Sequence, residues 1–190
     1  MTPHRDDDSS IRAPDEKSLI LRAQRGDQAA FEALYLSHLD AIYRYIYFRI
    51  GDTHEAEDLT EEVFVRAWEQ LPGYRIGQTR FASWLYRIAH NMTVDHYRKR
   101  PASSLSEPHF ARMAAAEKTE EIAETRQASG ALAKAVRQLD DIEQMVIILR
   151  FVEGLSHQDT AATIGKSLEA SRVIQHRALA KLGGLLKGQE

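Results

Sequence analysis

The chain contains no cysteine, which rules out disulfides, thiolate metal sites and cysteine redox switching. It also lacks any apolar run near the roughly 20 residues that span a bilayer. Its first ten positions, with Asp6, Asp7 and Asp8, do not follow the basic-then-apolar order of a secretion signal, so a cytoplasmic location is expected. An excess of positive charge is missing too. The 25 Lys and Arg face 28 Asp and Glu, for a net charge of −3. A chain that merely coats nucleic acid is basic overall, so any DNA-binding charge here must be gathered locally. No strand pattern, internal repeat or phosphate-cradling glycine loop occurs.

What is present is helical periodicity in two blocks. Positions 1–14 are polar and acidic and read as a disordered tail. From 15 to 100 the pattern is helical almost throughout. Gly26-Asp27 closes a short first helix and caps the next, whose Phe31, Leu34, Tyr35, Ile42 and Ile46 share one face. Gly51-Asp52 ends that helix. A third runs over 54–70 with Leu59, Val63, Ala67 and Leu71 on one side, and Pro72-Gly73 begins a loop. A fourth covers 81–99 and stops before Pro101. The segment 101–126, with its serines, Pro108 and an Ala/Glu-rich run through Glu117, Glu120, Glu121 and Glu124, reads as a flexible linker. A second helical block, 127–187, contains no proline. The expected fold is all-α: two small helical domains joined by a tether.

The second block has the order of a helix-turn-helix. An apolar helix over 141–152 offers Ile142, Met145, Val146, Leu149 and Phe151 to a core, and Gly154 closes it. Ser156-His157-Gln158-Asp159 is a capping box, Gly165 ends the short helix, and Ser167 caps a longer one. In that last helix Ala170, Val173, Ile174 and Ala178 are expected inside. Glu169, Arg172, Gln175, His176 and Lys181 then face outward with Arg177 near the edge: donors for base edges, flanked by cations for phosphates. The alternative is a surface helix with ordinary solvated charge.

In the fourth helix Leu85, Ile88, Ala89 and Met92 form the buried stripe. A second face carries Trp84, Arg87, Asn91, Asp95 and Arg98, and Lys99 and Arg100 come next. An aromatic with amides and cations suits a single strand, whose bases stack while its backbone follows the charge; the alternative makes Trp84 and Tyr86 plain core residues. In the third helix Glu55, Glu57, Asp58, Glu61 and Glu62 crowd the first turns, which the helix dipole favours in any case. With Phe64 and Trp68 one turn apart, they also suit docking to a basic protein surface. A carboxylate–histidine metal site from His54 or from His90, Asp95 and His96 is disfavoured, because six residues put His90 and His96 on different sides of a helix. No metal, cofactor or catalytic residue is expected.

Together the motifs resemble the extracytoplasmic-function RNA polymerase sigma factors. The run from Asp58 to Trp68, DLTEEVFVRAW, is similar to the family's region 2 signature, and Phe81 to Asn91, FASWLYRIAHN, to its promoter-reading helix. Gly26-Asp27 with Phe31-Glu32-Ala33-Leu34-Tyr35 matches the family's opening. Arg150 to Ser156 and His176-Arg177-Ala178 match region 4. The resemblance covers about 18–100 and 130–183 and implies an alternative sigma factor, not an enzyme. Asp58, Glu61, Glu62, Phe64 and Trp68 would dock on the clamp helices of core RNA polymerase. Arg80, Ser83, Trp84, Arg87, Asn91, Asp95, Arg98, Lys99 and Arg100 would capture the non-template strand of the −10 element. Ser167, Glu169, Arg172, Gln175, His176, Arg177 and Lys181 would place the last helix on the −35 element, with region 4 held by the polymerase flap. The linker would pass through the RNA exit channel, and an anti-sigma factor would restrain the protein. No additional C-terminal domain is expected. The chain departs from the family in Glu61, where glutamine is common, in Leu139-Asp140-Asp141, where a proline usually enters region 4, and in Val173-Ile174, where a polar-basic pair is typical. A helix-turn-helix repressor binding duplex DNA as a homodimer is the rival reading, but it leaves the Trp84 helix and the acidic helix without a purpose.

Overall fold

The computed structural model describes residues 15–99 and 132–187. The tail 1–14, Arg100 and the linker 101–126 lie outside the described residues. Four helices form the N-terminal module: α1 (Glu16–Ala23), α2 (Gln28–Ile50), α3 (Thr53–Gln70) and α4 (Phe81–Lys99), with a 3₁₀ turn at Leu71–Gly73. The C-terminal module opens with a helical turn at 132–136. It continues through α5 (Asp141–Ile147), a π-helical turn (Ile148–Val152), α6 (His157–Ile164) and α7 (Leu168–Lys187). Among the described residues there is no sheet, and no helix is long and apolar enough to cross a membrane.

The helix boundaries arise from local chemistry. The Asp27 and Asp52 carboxylates accept from the Ala30 and Glu55 amides at 3.1 and 3.0 Å. Ser156 and Ser167 do the same for Asp159 and Ala170 at 3.0 and 3.1 Å, each satisfying an amide that a helix start leaves without a carbonyl. Gly51 ends α2 at φ 82°, where a side chain would be strained. An added Cβ there would also come within 2.6 Å of the Arg137 guanidinium.

One buried cluster runs through both modules. Ile42, Tyr45 and Ile46 of α2 meet Val63 and Ala67 of α3 and Leu85 and Ala89 of α4, and the cluster continues into Val136, Ile148 and Leu149. The π turn corrects one expectation, since Phe151, assigned to the core, stands exposed. The Glu153 backbone amide donates to the Ile148 carbonyl at 3.0 Å, an i→i+5 bond that inserts a residue and rotates the adjoining chain by about 100°.

The modules are held together by charges far apart in sequence. Arg44 of α2 grips Glu153 with two bonds, at 2.8 and 3.1 Å, and Tyr86 donates to the same carboxylate at 3.3 Å. Arg49, 2% exposed, binds the carboxylate and carbonyl of Asp141. His90 approaches the other oxygen of Asp141 at 3.3 Å.

Candidate functional site

Three surfaces carry the residues singled out in the sequence. On α3, Asp58, Glu61 and Glu62 are exposed and line one open cleft with Val65, Arg66 and Met92. A neighbouring groove between α2 and α3 has Tyr35, Leu39 and Tyr43 as its apolar lining and Asp40, Glu57 and Glu61 as its acidic lining. Trp68 is half-buried, edge-on to Phe31 at 4.8 Å. Phe64 is corrected: it is 4% exposed, locked against Tyr35 at 4.7 Å, and so belongs to the core instead of the surface. Sequence reasoning missed Val65 and Leu36, both well exposed on these helices. The signal was available, because an apolar residue off the buried stripe of an amphipathic helix must face solvent.

On α4, Asn91, Asp95, Arg98 and Lys99 are exposed and Arg87 is half-buried. Asp95 and Arg98 pair at 3.0 Å. Trp84 is half-buried, and packs on Tyr74 at 5.0 Å and Phe81 at 5.4 Å, so it joins an aromatic cluster at the root of the 74–80 loop with part of its ring accessible. Ser83 is corrected: it is 2% exposed. It stands three residues before the buried Tyr86, hence on the same packed side of the helix. His90 and His96, weighed as metal ligands, enter different networks, His90 with Tyr45 and Asp141 and His96 with Glu55 at 3.3 Å. Burial and the neighbouring Arg49 cation push the His90 imidazole below its ordinary value, against the pull of Asp141.

Two α4-side cations are already engaged. Arg87 donates to the carbonyls of Ala162 and Thr163 at 2.6 and 3.2 Å, in the last turn of α6. Arg80 pairs with Asp159 of the same helix at 3.1 Å. At Arg87, the negative end of the α6 dipole and its unsatisfied carbonyls attract a cation.

On α7 the buried residues are Ser171, Ala178 and Leu182. Val173, expected inside, is 50% exposed, because the inner face is centred on Ser171 and Ala178, not on Val173-Ile174. Ser167, Glu169, Arg172, His176 and Arg177 are exposed as expected. Gln175 is half-buried and accepts from Arg150 at 3.3 Å, while Lys181 is exposed as expected and bridges Asp140 and Glu143, each at 2.8 Å. Those carboxylates raise the Lys181 ammonium above its ordinary value.

The chain matches family models described as Sigma-70 region 2 over residues 34–102 and Sigma-70, region 4 over 135–182. It is 36% identical over 171 residues to the ECF RNA polymerase sigma factor BldN of Streptomyces coelicolor, covering 88% of this chain but 64% of that protein's length. It is 30% identical over 150 residues to the ECF RNA polymerase sigma factor SigW of Bacillus subtilis, covering 74% of this chain and 80% of the relative. Among solved structures, CnrH in complex with the cytosolic domain of CnrY superposes with a TM-score of 0.70 at 28% identity, over 92% of this chain and 99% of the other. The sigma factor RpoE from Bartonella quintana, solved with the anti-sigma factor NepR, shares the fold, with a TM-score of 0.65 at 23% identity over 83% of this chain and 96% of that one.

Proposed function

Because the chain belongs to the ECF RNA polymerase sigma factors, we propose that it binds core RNA polymerase and directs promoter-specific initiation as an alternative sigma factor, without catalysis of its own and in the cytoplasm. The observation that carries this is the separation of charge: carboxylates crowd the first turns of α3, while cations and amides occupy the outer faces of α4 and α7. A net-negative protein can then present acid to a larger machine and base to DNA.

Asp58, Glu61 and Glu62, with the open edge of Trp68, form the docking face for the polymerase clamp helices. Trp84, Arg87, Asn91, Asp95, Arg98 and Lys99, with Arg80 at the loop and Arg100 beyond, hold the unpaired −10 strand, where a base stacks on the aromatic and the cations follow the phosphates. Phe64 and Ser83 act by packing alone. Ser167, Glu169, Arg172, His176 and Arg177 contact the −35 element, while Gln175 supports α7 from within its module and the exposed Lys181 ties α7 to the start of α5. The linker 101–126 lies in the RNA exit channel, and the polymerase flap holds the C-terminal module. Because α6 occupies Arg80 and Arg87, DNA capture requires that module to move away, which docking on polymerase accomplishes. An anti-sigma factor is the partner expected to favour the closed packing.

Stoichiometric binding to core polymerase, followed by permanganate reactivity of unpaired thymines on promoter DNA, tests the proposal. The expected result is melting that needs both proteins. A protein that neither binds core nor opens any promoter with it would refute the assignment.

A further inference from the structure

We infer that Val173 is a specificity-determining residue of α7 that reads the C5-methyl group of a thymine in the major groove. The inference rests on the reading of α7 as the −35 helix and adds the identity of a base. Residues advance by about 100° along an α-helix. With Ser171, Ala178 and Leu182 marking the inner side, the opposite line carries Glu169, Val173, His176 and Ala180, all exposed. Arg172 and Arg177 stand on either side of that line. A helix seated in the major groove turns its outermost line to the base edges and its flanks to the phosphates of both walls, and two flanking arginines fit those walls.

Val173 sits in the middle of the outermost line, one turn from Glu169 and one from His176. Its side chain has no hydrogen bond to give or accept. The feature of a base pair in the major groove that suits an apolar group is the thymine methyl. Valine is stiff at χ1 in a helix, so its methyls are presented with little ordering cost. The polar side chains nearest this line on its inner side do not compete for the same base, because Gln175 is held by Arg150 and Lys181 by Asp140 and Glu143.

The test uses holoenzyme reconstituted from the full chain and core polymerase. Selection from promoters with a randomised −35 segment gives the preferred element. Each thymine in it is then replaced by deoxyuridine, which differs only by the missing methyl. One replacement should weaken wild-type binding about fourfold, and Val173→Ala should weaken binding to the thymine duplex similarly while ignoring that replacement. Wild-type indifference to every uridine, with Arg172→Ala still weakening binding to promoters that carry the element, overturns the role of Val173 and leaves the −35 reading standing. If no −35 preference emerges and Arg172→Ala is also silent, the reading of α7 falls and the inference falls with it. Equal weakening by Val173→Ala on DNA with and without the element overturns it in favour of a polymerase contact.

Discussion

Arg87 donates to the carbonyl oxygen of Ala162 at 2.6 Å, which ties the outward face of α4 to the last turn of α6. A guanidinium so engaged is withheld from a phosphate, so on the proposed −10 role of α4 the packed modules and a DNA-bound form are alternative states. Glu153 lies at the centre of this packing, since its buried carboxylate serves both Arg44 and Tyr86. Replacing it with alanine leaves Arg44 without its partner. Loss of a charge-assisted bond of about 1.5 kcal/mol should speed amide exchange in α6 about tenfold while α1–α4 keep their protection. Unchanged exchange in α6 would show that Glu153 does not hold the modules together.

Asp58→Ala combined with Glu62→Ala removes two exposed carboxylates that make no ion pair among the described residues. Thermal stability should change by no more than about 0.5 kcal/mol, while affinity for core polymerase falls about tenfold and the remaining affinity becomes less salt-dependent. Fluorescence titration of labelled protein with core measures this, and unaltered affinity would remove the docking face.

Phe64→Ala should behave in the opposite manner. A buried aromatic locked on Tyr35 costs about 3 kcal/mol when truncated, so urea unfolding should show a large loss of stability. A stable Phe64→Ala protein with weakened core binding would return Phe64 to the docking surface.

Asn91→Ala is the cleaner probe of the −10 face than Trp84→Ala, because Asn91 is exposed while Trp84 also packs on Tyr74 and Phe81. Promoter opening should fall about tenfold, in line with loss of a hydrogen bond to a base, with core binding unchanged. Equal loss of both would count against this face.

Helix ends were legible in the sequence because Asp27, Asp52, Ser156 and Ser167 act within three residues of themselves. Stripes such as Leu85, Ile88 and Ala89 were legible for the same reason: period is a local property. The phase of a stripe was harder. Phe64 and Trp68 both look like anchors at the edge of one face, and only packing on Tyr35 makes the first of them core. Val173 and Ala178 are both apolar, and the position of Ser171 in the core decided which faces in. The π turn that expels Phe151 leaves no local mark. Least legible was the pairing of Arg44 with Glu153 and Arg49 with Asp141, since charges so distant along the chain carry no periodicity that links them.

His90 provides a dependence on pH. Its folded-state value is depressed, so the unfolded chain binds the proton more readily, and stability is present above the ordinary histidine value of about 6.5 and lost as pH falls below it. Thermal melts between about pH 7.5 and 5.5, spanning that value, should show this loss, and His90→Gln should flatten it. An identical slope in the variant would assign the effect to other histidines.

If the chain is an alternative sigma factor, it gives core RNA polymerase a promoter preference that the core alone lacks. Mapping the 5′ ends of transcripts made in vitro from genomic DNA, with and without the protein, addresses this most directly. The expected result is a discrete set of start sites that arises only when the protein is added and shrinks with Asn91→Ala. An unchanged set of start sites, together with dimeric protein binding duplex DNA in the absence of polymerase, would contradict it.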